Sequence, residues 1–305
     1  MDSANTEPPS KRNDDEMNKA RQSSLFVGSL EKGLQILRVF DRERRDMGLS
    51  EIVEASGLDK SSVQRFTFTL HALGCLRKDE ATRKYTLSPR VLELGFTYLQ
   101  TDRLLEYATP LLYDANRRCG ETLNITELVD TEVVYVARAP GRHVISVDIF
   151  LGMRVPAYAC APGRAILAFL PEKSAAAIID RSTLQKFTPK TIASRAGVLR
   201  ELKTVRSSGY AIAEEQCYLG EISIAAPIFN GQGQPIAALN ASVPNSRWTT
   251  DRAREELSPL VLETARAISR AQGAGGHPWF HQLGAAAAVK PPRKIAARHA
   301  SRRGG

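Results

Sequence analysis

The stretch Leu49 to Phe68, LSEIVEASGLDKSSVQRFTF, admits few folds. Ile52 and Val53 fall on one short helical segment, and Val63, Phe66 and Leu70 on the next, so each segment has a single apolar side to bury. Only Gly57-Leu58-Asp59 lies between them. A glycine ends a helix by taking positive φ without steric penalty, and an aspartate opens the next by accepting from its free amides. Leu58 is expected to be buried in the turn. Two apolar faces joined by so short a turn must meet at a steep angle, which is a helix-turn-helix.

With Val63 and Phe66 turned inward, Lys60, Ser61, Ser62, Gln64, Arg65 and either Thr67 or Phe68 fall on the outer or flanking faces near the second helix's start. Their chemistry suits the major groove. A glutamine can bond adenine at two atoms and an arginine guanine likewise, while lysine and serine at a helix N-terminus suit a phosphate. A helix is expected before this pair, from Ser29, its N-cap, to Phe40, with Leu30, Leu34, Ile36, Leu37 and Phe40 at helical spacing. After it, Leu76 to Glu80 and Thr82 to Thr86 form two arms around a polar tip, a wing that offers Arg77, Lys78, Arg83 and Lys84 to backbone or minor groove. His71 is given no special role.

Beyond Pro89, Val91, Leu92, Leu94, Phe96 and Leu99 suit a linker helix. A helix ending at Gly120 follows, then a hairpin from TLNITELV and EVVYVARAP, strands at HVISVDIF and RVPAYA, and helices at GRAILAFL, KSAAAIID and VLRELKTVRSSG. Strands at YAIAEE, ISIAAPIF and PIAALNASVP and a last helix, DRAREELSPLVLETARAISRA, complete it; Asn230-Gly231-Gln232-Gly233 joins the last two strands. Hairpins interleaved with helices make an α+β fold with a sensor-like second domain. The expected limits are a disordered N-terminus to residue 24, a winged helix-turn-helix at 25–88, the linker helix at 89–102, the second domain at 103–273 and a basic disordered tail at 274–305.

Composition narrows the function. The 305 residues carry a net charge of +9, which invites a polyanion, but no acidic residue follows Glu263, so much of the excess sits in the tail. That tail is either solvated or drawn to DNA phosphate without sequence preference. No apolar run is long enough to cross a bilayer and the N-terminus lacks a secretory core, so the expected location is the cytoplasm, with no membrane partner. Cys75, Cys119, Cys160 and Cys217 form no C-x-x-C pair, so no metal and no cofactor are expected. Gly231-x-Gly233 lies between strands and is no dinucleotide loop.

The order of helix, LSEIVEASGLDKSSVQRF, wing, linker helix and sensor domain resembles the IclR family of bacterial transcription regulators over about residues 25 to 272. LGMRVPAYACAPGRAILAFLP and GYAIAEEQCYLGEISIAAPIFNGQGQPIAALNASVP look like the family's two effector-domain signatures. Asp59 stands where the family often has proline, and Ala161-Pro162 where a small polar residue is common. The resemblance implies a regulator without enzymatic activity, a homodimer or tetramer on a roughly palindromic double-stranded operator, switched by a small organic effector in a domain with a curved antiparallel sheet. For the effector it implies Leu151, Met153, Pro156, Ala159, Cys160 and Ala161 from one signature, and Glu215, Cys217, Ser223, Asn240 and Ser242 from the other. Free amides near Cys160 to Gly163, where a strand gives way to a helix, suit a carboxylate. Asn240 interrupts an apolar strand and needs a partner if buried. Two rivals stand beside this reading: a sequence-neutral architectural DNA protein driven by the tail, and a thiol enzyme with Cys160 as nucleophile and His143 or His71 as base, for which no orienting group is visible.

Overall fold

The computed structural model describes residues 19–142 and 149–276. The chain divides into two units, Met1–Asp102 and Arg103–Gly305. The first holds α1 (Gly28–Arg38), β1 (Asp46–Met47), α2 (Leu49–Ser56), α3 (Lys60–Ala72), β2 (Leu76–Lys78), β3 (Tyr85–Leu87) and α4 (Val91–Thr101). Ile36, Ile52, Val63, Leu70, Leu76 and Tyr85 meet in its core. Gly57 sits at φ +66° and its amide donates to the Val53 carbonyl at 2.9 Å, closing α2 in the left-handed conformation that favours glycine. Asp59 caps α3 by accepting from the Ser62 amide at 2.8 Å. α1 departs from expectation: it starts at Gly28 behind Val27, because the Leu30 and Glu31 amides bond the Val27 carbonyl, so Ser29 lies inside the helix rather than capping it. The wing is also larger than a hairpin. Asp46–Met47 pairs with β3, giving an antiparallel sheet in the order β1-β3-β2.

The second unit holds α5 (Arg103–Cys119), β4 (Thr122–Val129), β5 (Glu132–Ala139), β6 (Arg154–Pro156), α6 (Ala161–Leu167), α7 (Glu172–Arg181), α8 (Arg195–Ser208), β7 (Ala211–Glu214), β8 (Glu221–Phe229), β9 (Pro235–Pro244) and α9 (Thr250–Ala271). One antiparallel sheet runs β6-β5-β4-β9-β8-β7, and its register slips between Ile125 and Thr126 and between Ile228 and Phe229. Such bulges bend strands and curl the sheet. All nine residues of β8 are buried, as a strand covered on both faces must be; α6 packs on β8, β9 and β7, and α9 also lies against β8. The turn into β9 follows its glycine chemistry, with the Asn230 side-chain oxygen accepting from the Gln232 and Gln234 amides at 3.0 Å each.

Two strands differ from expectation. Of HVISVDIF, residues 143–148 lie outside the described residues, and Ile149 and Phe150 are not in a strand. RVPAYA keeps only Arg154–Pro156, since the chain turns there and the Ala159 amide bonds the Pro156 carbonyl at 3.0 Å. That turn delivers α6 against the sheet. A Cβ on Gly163 would fall 2.3 Å from the Cα and carbonyl oxygen of Ala157, so the helix can approach its own entry loop only with glycine there. Among the described residues, no helix is long and apolar enough to cross a membrane.

Candidate nucleic-acid interface and ligand cavity

Helix α3 buries Val63, Thr67 and Leu70 and leaves Ser61, Gln64, Arg65 and Phe68 exposed. Those four follow a spacing of three, one and three, so they share one outward face. Phe68, a flanking candidate in the sequence, is 71% exposed and completes that face with an apolar group able to touch a thymine methyl. Thr67 is the correction: it lies four residues after Val63, turns inward with it, is 0% exposed, and its hydroxyl donates to the Val63 carbonyl at 2.7 Å. Ser62 is held as well. Its hydroxyl donates to the Asp59 carboxylate at 2.6 Å, and that bond and the Ser62 amide hold Asp59 below the ordinary carboxylate range. Lys60 is exposed at the helix start.

In the wing, Arg77 and Arg83 are exposed and make no ion pair among the described residues. Arg83 turns the chain at φ +57°. Lys78 and Lys84 are engaged, with Glu80 at 3.1 Å and Asp46 at 3.0 Å. Such exposed pairs are weak and salt-screened, so a phosphate can replace either carboxylate.

In the second unit a cavity of about 270 Å³, including its open mouth, is lined by Tyr135, Cys160, Ala161, Ala213, Gln216, Cys217, Tyr218, Glu221 and Ser223. Much of that space is open to solvent; the enclosed part, about 10 Å³, has room for about one water, so an organic ligand enters only as the lining moves apart. Four sequence-predicted residues line it: Cys160, Ala161, Cys217 and Ser223. Asn240 and Ser242 stand behind, where the Asn240 amide nitrogen donates to the Ser223 hydroxyl at 3.2 Å and to the Ser242 hydroxyl at 3.1 Å. Ala159 is buried in the adjoining core, which Met153 packs against; Pro156 is half-buried and Leu151 is 47% exposed, none of them lining the cavity. Glu215 is occupied elsewhere. Its carboxylate accepts from the Gly220 amide at 2.9 Å and pairs with Lys190 at 2.8 Å, which ties down the β7–β8 loop.

The helix start offers fewer donors than expected, because Pro162 has no N–H and the Gly163 amide faces the Cys160 thiol. What the sequence reading missed is Glu221, a fully buried carboxyl with no ion pair among the described residues, bonded to Ser242. Burial pushes it up to about 6, partly opposed by the Ser242 hydrogen bond. A charged residue opening a largely apolar strand was its signal. Burial also pushes the Cys160 thiol up to about 12 and raises Cys217, so neither is a nucleophilic thiolate at neutral pH. Arg164, fully buried, braces the walls, donating to the Tyr158 carbonyl at 2.7 Å and to Gln216.

Known proteins agree with this architecture. The family described as "Bacterial transcriptional regulator IclR C-terminal" matches residues 96–270, and that described as "IclR helix-turn-helix domain" matches residues 29–80. The Pca regulon regulatory protein of Pseudomonas putida is 31% identical over 244 residues, spanning 80% of this chain and 83% of that one. The p-hydroxybenzoate hydroxylase transcriptional activator of Acinetobacter baylyi is 32% identical over 248 residues, 80% of this chain and 91% of that one. Among solved structures, Thermotoga maritima IclR superposes with a TM-score of 0.63 at 29% identity, covering 81% of this chain and 100% of that one. An IclR homologue from Microbacterium hydrocarbonoxydans, crystallised with 4-hydroxybenzoate, shares the fold with a TM-score of 0.67 at 23% identity, over 81% of this chain and 100% of that one. The relatives are transcriptional regulators, not enzymes. This chain belongs to the IclR family of bacterial transcription regulators.

Proposed function

We propose that the protein reads a two-fold symmetric operator in double-stranded DNA through the outer face of α3, and that a small organic effector, a carboxylate, tunes that affinity from the cavity of the second unit. The observation that carries the first half is the exposed row Ser61, Gln64, Arg65 and Phe68 on a helix whose other side is locked into the core. Gln64 and Arg65 supply base-edge chemistry, Lys60, Arg77 and Arg83 supply phosphate contacts, and Lys78 and Lys84 join them by exchanging carboxylate for phosphate. One recognition helix reads too few base pairs for genomic specificity, so the working form is a homodimer or a pair of dimers. The effector half is supported by the polar lining of the pocket, Cys160, Cys217, Glu221 and Ser223, and by a relative named for p-hydroxybenzoate hydroxylase control and a homologue crystallised with 4-hydroxybenzoate. Coupling requires the effector to bind the DNA-competent and incompetent arrangements unequally. α4, separated from α5 by the single residue Asp102, is the covalent route between the units.

Selection of duplexes from a randomised library by the full-length protein tests this. An enriched inverted repeat, with protection spaced about one helical turn between half-sites, is expected. Unenriched sequence after repeated selection contradicts it.

A further inference from the structure

The pocket of the second unit has three walls, and they are not held alike. Tyr135, Ala213, Glu221 and Ser223 belong to β5, β7 and β8, which the sheet's ladders fix in place. Cys160 and Ala161 stand at the start of α6, which Gly163 seats against Ala157 and which buried Arg164 anchors by donating to the Tyr158 carbonyl at 2.7 Å. Gln216, Cys217 and Tyr218 make the third wall. They come from the connection between β7 and β8, residues 215–220, which is in no helix or strand. Since the enclosed space takes about one water, anything larger reaches the inside when the wall outside the ladders swings away.

Both ends of that wall are built to turn. Glu215 sits at φ +51° and Gly220 at φ +79°, so the chain passes through the left-handed region on entering and on leaving. Glycine takes that region freely, but glutamate is strained there and persists in it only where its surroundings hold it. Those surroundings are polar. The Glu215 carboxylate accepts from the Gly220 amide and from the Asn245 side chain, at 2.9 Å each, and pairs with Lys190 at 2.8 Å. Lys190 also pairs with Glu214, while the Thr188 hydroxyl donates to the Glu215 carbonyl and the Thr191 hydroxyl to the Gln216 carbonyl at 2.6 Å. Thr188, Lys190 and Thr191 all lie in the connection between α7 and α8, so one loop fastens the other. On the inner side Gln216 accepts from Arg164, whose other terminal nitrogen has no partner. Thr188 and Thr191 are buried, whereas the Lys190 side chain is 49% exposed, so its pair is the fastening that solvent and salt reach.

We propose that residues 215–220 are a lid on this pocket, hinged at Glu215 and Gly220 and latched by Lys190, and that the pocket exchanges its contents with solvent through the lid's open form. Its use as the effector's way in rests on the reading of the pocket as the effector site. Opening gives up the bonds of Lys190, Thr188 and Thr191 and relieves the backbone of Glu215, which offsets part of that loss.

Two thiols inside the pocket report the opening without any ligand. Burial holds Cys160 and Cys217 protonated in the closed form, so N-ethylmaleimide adds to either one after the lid lifts. Cys119 at the end of α5 and Cys75 in the other unit serve as references. The experiment is labelling of the native full-length protein, followed at each cysteine by peptide mass spectrometry. Lys190→Met is expected to speed Cys160 and Cys217 together by about fivefold and to leave Cys119 and Cys75 at their wild-type rates, while Lys190→Arg keeps most of the wild-type protection. Salt at about 1 M screens the same pair, and is expected to speed the two pocket thiols in the wild type and not in Lys190→Met. Unchanged rates in Lys190→Met overturn the inference. So does acceleration of Cys217 alone, which sits on the connection and would then report fraying without entry, and so does equal acceleration of all four thiols, which marks loosening of the whole fold. No ligand enters the measurement, so its failure leaves the effector reading standing; that reading falls instead if small organic acids leave DNA affinity unmoved, whatever the thiols show.

Discussion

Glu221 gives the sharpest test at the scale of a residue. Its carboxyl titrates near 6 in the folded chain against an ordinary 4.5, because burial disfavours the charge. Folding therefore favours the protonated form. Below the unfolded pKa the residue carries no electrostatic penalty; the penalty grows as pH rises through 4.5 to 6 and is full above that, at roughly 2 kcal/mol. Glu221→Gln removes a charge and keeps the shape, so its stability relative to wild type should improve by roughly 2 kcal/mol between pH 4 and pH 8, read by urea unfolding across pH. A difference that stays flat across that range contradicts the buried-carboxyl account. Arg65 belongs to the same scale. It is exposed on the outer face of α3, so Arg65→Ala should leave the melting temperature within about 1 °C and weaken the selected duplex by roughly tenfold to a hundredfold.

The turn between α2 and α3 is set by two residues acting on the backbone, not by a large buried area. Gly57 holds φ +66° and nothing lies within 4 Å of the Cβ it lacks, so Gly57→Ala meets only conformational strain. It should destabilise the domain by about 1 kcal/mol, with a parallel loss of DNA affinity, measurable by thermal unfolding and anisotropy. This element was legible in the sequence because glycine, a capping aspartate and spaced apolar residues each act over a few residues. The effector-domain hairpins were legible for the same reason. Asp46–Met47 was not, since two residues carry no period and their pairing with β3 is a long-range fact. Thr67 and Phe68 are adjacent, and helical rotation alone decides that the first packs beside Val63 while the second reaches outward. The cavity was half legible. Cys160, Ala161, Cys217 and Ser223 came from the family signatures, while Tyr135 and Gln216 line it through sheet register and loop conformation. Nothing in a linear reading joins Lys190 to Glu215, which lie in two different loops.

For the molecule as a whole, family membership fixes the kind of protein, and the proposed function gives the two units separable tasks. The basic end of the sequence, with Lys290, Arg293, Lys294, Arg298, Arg302 and Arg303, carries positive charge, which phosphate attracts whatever the base sequence. Deleting residues 284 to 305 should therefore weaken specific and scrambled duplexes by the same factor and flatten the salt dependence of both. The thiol-enzyme alternative loses its nucleophile to the raised Cys160 thiol. The architectural alternative turns on specificity, which the outer face of α3 is placed to supply. Fluorescence anisotropy of the full-length protein on a selected duplex and its scrambled counterpart, at one fixed salt concentration, tests that most directly. The account predicts that the selected duplex binds at least about a thousandfold tighter, and that Arg65→Ala removes about a factor of ten or more from that ratio. Equal affinity for the two duplexes, or a ratio untouched by Arg65→Ala, would contradict it.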